Sequence, residues 1–122
     1  MRKHAAHDVP LPELAPDHEV SRWLREFEAA SENFDWDEGN RNKSLKHGAS
    51  WEDIESLFLE EIVFEGRITE PAHDESRYLL LGEDWNGRLL ALVFTRRGDK
   101  LRPISCRTMR HKERERYEER TS

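Results

Sequence analysis

The sequence predicts an α+β fold in which helices pack on one face of an antiparallel β-sheet. Two changes in hydrophobic periodicity support this prediction. Residues 17–59 carry apolar side chains at helical spacing, whereas residues 62–107 consist of short apolar runs separated by turn residues. From Met109 to about Arg120 the composition again favours a helix. We therefore expect N-terminal helices on one face of the sheet, an antiparallel meander and a C-terminal helix.

The first 33 residues predict an extension with one amphipathic helix. Residues 1–16 contain three prolines and little apolar content, which indicates an extended or disordered leader. Asp17 is a suitable N-cap, and apolar side chains then recur at i, i+3, i+4 and i+7. We expect a helix at about residues 18–30. Its apolar stripe consists of Val20, Trp23, Leu24 and Phe27.

A short strand and two further helices are expected before the sheet. Residues 34–37 alternate aromatic and acidic side chains, which favours a short strand. Asp37 can cap a helix over about 38–46. The sequence Ser50-Trp51-Glu52-Asp53 has the form of a capping box and predicts a helix that continues to about Leu59.

Four apolar runs predict the strands of the sheet. Asn-Gly between the second and third runs is a strong hairpin signal. The third run is the most apolar and is expected to be a central strand. Pro103 indicates an edge or a bulge near the start of the fourth run. The runs are residues 62–64, which Gly66 ends, then 78–81, 89–95 and 101–107.

Composition excludes several classes of protein. The 122 residues have the length of one domain, no apolar run approaches the ~20 residues of a membrane span, and no hydrophobic segment follows the basic N-terminus. The single cysteine cannot form an internal disulfide, which indicates a reducing cytoplasm. The six histidines show no zinc-site spacing, so neither a metal nor another cofactor is expected.

The net charge of −6 is unevenly distributed along the chain. Residues 1–38 carry −6, and residues 39–122 carry zero. Within the second part, residues 96–114 carry +6. The overall acidity therefore does not count against a nucleic-acid partner. The alternative interpretation of the basic stretch is a solvated charged surface.

Basic groups near turns and strand ends form a candidate site. Cleavage of RNA through the 2′-hydroxyl needs a group that takes its proton, a group that protonates the leaving 5′-oxygen, and positive charge near phosphorus. Histidine suits the first two roles because its pKa lies near neutrality, and arginine suits the third because its fork matches phosphate oxygens. No metal is required. The groups are Lys46, His47, His73, Arg77, Arg96, Arg97, Arg107, His111, Lys112 and Glu113.

These residues also have structural alternatives, and from chemistry alone RNA cleavage is one hypothesis among several. Helix ends, surface ion pairs and sheet edges all use basic side chains. The alternatives are hydrogen bonds from Lys46 and His47 to the last carbonyls of their helix, an ion pair of Arg77 with Glu75 or Asp84, and protection of a sheet edge by Arg96 and Arg97.

Two sequence blocks resemble the BrnT toxin family. The first is Phe34-Asp35-Trp36-Asp37-Glu38-Gly39-Asn40, followed by Lys43, Lys46-His47-Gly48 and Ser50. The second is Arg102-Pro103-Ile104-Ser105-Cys106-Arg107, followed by Met109 and Lys112-Glu113. Arg77, Gly87-Arg88 and Phe94-Thr95-x-Arg97 stand between them. The resemblance covers roughly residues 34–118 in uninterrupted order, with Cys106 where the family usually has alanine.

The resemblance implies a RelE-like ribonuclease fold and the toxin of a type II toxin–antitoxin system, which cleaves RNA and arrests growth. It divides the chain into an acidic extension over residues 1–33 and a toxin domain over 34–120. The implied partner is a BrnA-like antitoxin with a ribbon-helix-helix portion. The protein would contact operator DNA only through this antitoxin, and no membrane partner is implied. The alternative is a catalytically inactive member that acts as an antitoxin-binding or co-repressor module.

The resemblance also implies the site residues. Carried over by position, the family's polar residues fall on Lys46, His47, Arg77, Arg97, Arg107, Lys112 and Glu113, and their roles are hypotheses. We expect Arg77 and Arg107 to bind the phosphate and the transition state, and His47 to act as general acid or base with Lys46 in support. Glu113 acts as a base or orients Arg107. The catalytic candidates are His47, Arg77, Arg107 and Glu113, and the RNA phosphate-binding candidates are Lys46, Arg97 and Lys112.

The extension over residues 1–33 precedes the family's usual start. Because it is acidic, it can lie over the basic site and inhibit it. The alternative, which we favour, is that its helix fills a hydrophobic groove.

Overall fold

The computed structural model describes residues 11–122 of the chain, so the first ten residues of the expected leader lie outside the described range. Over this range the backbone forms four α-helices, two short 3₁₀ turns and one five-stranded sheet. The strands are β1 (Glu13–Ala15), β2 (Val63–Glu70), β3 (Tyr78–Glu83), β4 (Leu89–Arg97) and β5 (Lys100–Thr108). The helices are α1 (His18–Glu26), α2 (Glu38–Lys46), α3 (Trp51–Ser56) and α4 (His111–Thr121).

The five strands lie side by side in chain order, and each is antiparallel to its neighbours. This confirms the predicted meander. β4 is an interior strand between β3 and β5, as its apolar sequence predicts. The hairpin between β3 and β4 turns at Asn86-Gly87, where Gly87 has a φ of 81°. A positive φ is readily adopted by glycine, which explains the strength of the Asn-Gly signal.

The sheet is apolar on both faces, and each face has its own core. Leu80 and Leu92 face the larger core, which the N-terminal helices cover, whereas Leu79 and Ala91 face a smaller one. Tyr117 of α4 packs into the smaller core. The expectation that the helices cover one face is therefore wrong for α4, because strands that are apolar on both sides need cover on both sides.

The end of the leader forms a strand, β1, that the sequence did not predict. β1 pairs with β2 through Leu14↔Ile68 and Ala15↔Arg67. Gly66 does not end β2 but lies at an irregularity within it, with a φ of 134°. A Cβ atom on this glycine would lie 2.6 Å from the carbonyl oxygen of Ala15. Glycine therefore permits the close approach of β1 to β2.

Helix α1 packs on the larger core. Asp17 caps it, since its Oδ1 accepts a hydrogen bond of 3.1 Å from the Val20 N–H. The helix ends at Glu26, earlier than expected, and Phe27 packs against Phe34 with ring centroids 5.3 Å apart. The contacts agree with the interpretation that the helix fills a hydrophobic groove.

The outer edge of β5 is covered by residues before α2. Phe34 forms an isolated bridge with Leu101, and the Asp35 N–H donates to the Leu101 carbonyl at 2.8 Å. The expected short strand at 34–37 is thus reduced to a single bridge. Pro103 lies beside a register shift between β4 and β5, as predicted. None of the helices over residues 11–122 is both long and apolar enough to span a membrane.

Candidate active site

A cleft of about 520 Å³ lies on the face of the sheet that carries α4. Val93 of β4 and Ser105 of β5 are cross-strand partners, and Arg107 lies two residues further along β5. Side chains alternate between faces along a strand, so all three project on this side. Arg77, just before β3, and His73, in the loop before it, also line the cleft.

Arg77 enters this cleft without a side-chain partner among residues 11–122. Its Nε atom is buried and has no hydrogen bond, and its guanidinium forms no ion pair with any described residue. The alternative of an ion pair with Glu75 or Asp84 is wrong, because Glu75 pairs with Arg97 and Asp84 pairs with Arg88. A buried donor without an acceptor costs about 1–3 kcal/mol, and a bound anion would remove much of that cost.

Arg107, in contrast, is held by a bidentate ion pair. Its Nη1 lies 2.7 Å from Oε1 of Glu113, and its Nη2 lies 2.9 Å from Oε2. The Glu113 side chain is fully buried, whereas the Arg107 side chain is 31% exposed and faces the cleft. Two parallel hydrogen bonds fix the plane of the guanidinium, so Glu113 positions Arg107.

The protonation of Glu113 follows from the same contacts. Burial alone would raise the pKa of the Glu113 carboxyl. Hydrogen bonds from Arg107 and from the Arg110 backbone N–H outweigh burial, and the pKa falls below its ordinary value. The carboxylate is therefore ionised near neutral pH, and both its oxygens accept hydrogen bonds. This geometry suits a positioning residue better than a general base.

Lys46 and His47 lie elsewhere in the molecule. Both side chains are exposed at the C-terminal end of α2, and neither lines the cleft. Their side chains form no hydrogen bond with the last carbonyls of the helix, which instead accept backbone N–H groups: the Ser44 carbonyl accepts those of His47 and Ala49, and the Leu45 carbonyl accepts that of Gly48. Helix α2 lies along the outer edge of β5, where Asn40 binds the Pro103 carbonyl. The fold thus does not bring His47 together with Arg77.

The two remaining predicted phosphate ligands lie outside the cleft as well. Arg97 is exposed at the end of β4 and pairs with Glu75 at 3.4 Å. Lys112 is exposed in the first turn of α4. Arg96 does not protect a sheet edge, since β4 is interior; its guanidinium lies 4.8 Å from the ring centroid of Trp23. The roles of Arg97 and Lys112 in RNA binding stay predictions.

A family model described as the ribonuclease toxin BrnT of type II toxin–antitoxin systems matches residues 36–113. This match covers well over half of the chain. The protein belongs to the BrnT family. Membership implies a ribonuclease toxin that has an antitoxin partner. A comparison with curated proteins finds no match to the chain.

The part of the chain that matches BrnT contains Arg77, Arg107 and Glu113, and it begins after α1. Strand β1 and helix α1 therefore lie outside the match. The residues that precede β1, Leu11 and Pro12, nevertheless line the cleft together with Glu13. The cleft of this BrnT-family protein is thus built from matched and unmatched parts of the chain.

Sequence reasoning missed several residues of the cleft. Ser105 had a usable signal, because it lies two residues before Arg107 on the same strand and must share its face. Arg110, the N-cap of α4, follows β5 closely enough to share its end of the sheet. His73 was among the basic groups of the candidate site but not among the residues implied by the resemblance. Nothing local in the sequence indicates that Leu11 approaches them, because that contact depends on the pairing of β1 with β2.

A second polar cluster lies around the β3–β4 hairpin, and its groups satisfy one another. Arg88 pairs with Asp84 and with Asp53 of α3, each at 2.9 Å. Trp85 Nε1 donates to Asp53 at 2.7 Å, and Arg88 also donates to the Gly48 carbonyl at 2.7 Å. The cluster ties the hairpin to α3 and is structural. Across residues 11–122 no group of His, Cys, Asp and Glu side chains has the arrangement of a metal site.

Proposed function

We propose that this BrnT-family protein cleaves RNA without a metal ion and that the phosphodiester binds in the cleft between Arg77 and Arg107. The observation that carries the proposal is the state of Arg77, which lines the cleft with a buried Nε and has no side-chain partner in the described part of the chain. A cation so placed stabilises charge that develops on a phosphate in the transition state. Arg107, held in a fixed orientation by Glu113, supplies a second such charge.

For the proton transfers we propose His73 rather than His47. Both imidazoles suit acid–base chemistry near neutral pH. A general acid or base must come within hydrogen-bond reach of the group it serves, directly or through one water. His73 lines the cleft that holds the arginines, and His47 does not. Geometry therefore favours His73, although the resemblance favours His47.

The proposal also includes the antitoxin partner and the cellular compartment in which the toxin acts. We propose a BrnA-like antitoxin with a ribbon-helix-helix portion, operator DNA contacted only through that antitoxin, and growth arrest in the cytoplasm when the antitoxin is lost. A RelE-like ribonuclease fold is part of the same proposal. It is supported by the order of elements, in which α2 and α3 precede the β2–β5 meander and α4 follows it.

The test uses the full-length chain freed of its antitoxin. RNA should be degraded in the presence of EDTA, because the chemistry needs only histidine and arginine. Arg77→Ala should lower the rate by at least about a hundredfold. Arg22→Ala, which removes an exposed arginine of α1 that does not line the cleft, is the matched control and should change the rate little.

The histidines are compared in the same assay. His73→Ala should lower the rate by about a hundredfold, and His47→Ala should leave it nearly unchanged. The reverse result would restore His47 as the acid–base group and remove His73. Loss of all cleavage in EDTA would contradict metal independence. Binding of antitoxin without cleavage of RNA under any condition would favour the inactive binding module.

A further inference from the structure

The two ends of the cleft differ in chemistry, since the charged and the apolar lining residues come mainly from different strands of the sheet. Its cationic residues come from the β3 and β5 side, where Arg77 and Arg107 lie. Most of its apolar residues lie towards β1 and β2, where Leu11, Pro12 and Ile68 line it, and Val93 of β4 is the exception. A ligand that fills the cleft therefore meets fixed positive charge at one end and aliphatic surface at the other.

We propose that Leu11 and Pro12 form the wall of a nucleoside-binding subsite next to the phosphate site, so that the cleft accepts one nucleotide of RNA. The inference rests on the proposed function and extends it to how the substrate is held. A volume of about 520 Å³ lies within the usual ~300–1,000 Å³ of small-ligand pockets. Leu11, Pro12 and Ile68 offer the base a nonpolar face.

The acidic residues of the cleft support this orientation of the nucleotide. Glu13 and Glu70 are cross-strand partners of β1 and β2, so both lie on the same side as Leu11 and Pro12. Their charges repel a phosphate from that side. The charged end of a nucleotide is thus directed to Arg77 and Arg107, and its uncharged ring to Leu11 and Pro12.

The wall belongs to a segment that the matched part of the chain does not include. Leu11 and Pro12 precede β1, which is held on β2 by the pairs Leu14↔Ile68 and Ala15↔Arg67. The BrnT match begins at residue 36. Without the segment before β1 the apolar side of the cleft would be an open sheet surface. The extension therefore contributes to substrate binding in this protein.

The experiment compares two probes, inorganic phosphate and adenosine 3′-monophosphate, titrated into the full-length protein and followed by calorimetry. The wild type should bind the nucleotide at least about tenfold more tightly than phosphate. The double variant Leu11→Ala with Pro12→Ala should weaken nucleotide binding about tenfold and change phosphate binding less than about twofold. Both substitutions precede the first paired residue of β1, and the unfolding midpoint checks that the fold is retained.

Two further variants separate this inference from the proposed function. Arg77→Ala should weaken both probes together, and Leu59→Ala, an exposed residue outside the cleft, should weaken neither. A double variant that binds the nucleotide as the wild type does, or that loses both probes equally, overturns the subsite. If phosphate binds in an Arg77-dependent way but the nucleotide binds no more tightly, the subsite fails while the phosphate site stands. If the wild type binds neither probe, both proposals fail.

Discussion

Arg107 and Glu113 face each other at the junction of β5 and α4, with both guanidinium Nη atoms within 2.9 Å of the carboxylate oxygens. Oε1 of Glu113 also accepts the Arg110 backbone N–H at 2.9 Å, so one buried carboxylate orients a cleft arginine and caps the helix. Arg107 is therefore both a site residue and a structural one. Arg77 has no ion pair or side-chain hydrogen bond with the described residues, so it is a site residue without a structural role.

The first prediction concerns the stability cost of breaking this pair. Arg107→Ala leaves the Glu113 carboxylate buried without its ion-pair partner and should lower the free energy of unfolding by about 2–4 kcal/mol. Arg77→Ala should lower it by less than about 1 kcal/mol or raise it, because a buried donor without a partner is removed. Urea denaturation measures both. Equal losses for the two variants would contradict the difference in their contacts.

The second prediction concerns the pH dependence of stability. The pKa of Glu113 is lowered in the folded protein from an ordinary value of 4.5, so the carboxylate contributes stability above that pH. This contribution is lost as the pH falls below 4.5 and through the folded pKa. Asp37 and Asp53 also have lowered pKa values and add to the same slope.

The measurement therefore compares the wild type with Glu113→Gln. At neutral pH the variant should be less stable, and the difference should shrink as the pH falls through the acidic window. The Asp37 and Asp53 contributions cancel in the difference. A constant difference between the two proteins down to acid unfolding would show that the Glu113 charge contributes nothing.

The third prediction uses the close approach of β1 to β2. Gly66→Ala places a Cβ atom 2.6 Å from the Ala15 carbonyl oxygen at a φ of 134°. We expect β1 to be displaced, stability to fall by about 1–3 kcal/mol, and proteolysis near Leu14 to accelerate. Gly98→Ala is the matched control, since this glycine also has a positive φ but has no atom near its would-be Cβ. Equal proteolysis of both variants would mean that Gly66 does not hold β1.

The pairing of β1 with β2 also illustrates which parts of the fold can be predicted from the sequence and which cannot. The Asn86-Gly87 hairpin and the Ser50–Asp53 capping box are local, so a few adjacent residues are sufficient to predict them, and both are present. β1 is only three residues long and follows proline-rich sequence. Its hydrogen-bond partners lie more than fifty residues away, at Arg67–Glu70, and no local pattern announces them.

The same distinction holds for the site. The resemblance was sufficient to associate Glu113 with Arg107. Strand alternation is enough to place Ser105 on the face of Arg107, although Ser105 was not predicted. They could not decide between His47 and His73 as neighbours of the arginines. His47 follows α2 and His73 precedes β3, and both lie in exposed segments. The side of the sheet that such a segment approaches depends on the tertiary fold and cannot be derived from the local sequence.

The fourth prediction concerns the single cysteine. Burial raises the pKa of the Cys106 thiol to about 12, so the reactive thiolate is scarce at neutral and mildly alkaline pH. A thiol reagent should modify the native protein at least about a hundredfold more slowly than the urea-unfolded chain. Since no other thiol is present, the signal reports one site. Modification of the native protein at the unfolded rate would contradict the burial of Cys106.

The last prediction concerns the residue that joins α2 to the sheet edge. Asn40 accepts the Asp37 backbone N–H at 2.8 Å and donates from Nδ2 to the carbonyls of Asp35 and Pro103, both at 3.0 Å. Its side chain thus completes the capping box of α2 and covers the outer edge of β5.

Asn40→Ala removes all three hydrogen bonds and leaves two carbonyls unpaired, so we expect a loss of about 2–4 kcal/mol in urea denaturation. Asn40→Asp keeps an acceptor for Asp37 N–H but cannot donate to the two carbonyls, and it should cost as much or more. The matched control is Asn42→Ala, an exposed residue of the same helix with no hydrogen bond from its side chain to the described residues. Because Asn40 lies at the outer edge of β5 and does not line the cleft, phosphate binding by a folded Asn40→Ala protein should match the wild type. A variant that stays as stable as the wild type would show that β5 does not depend on this contact.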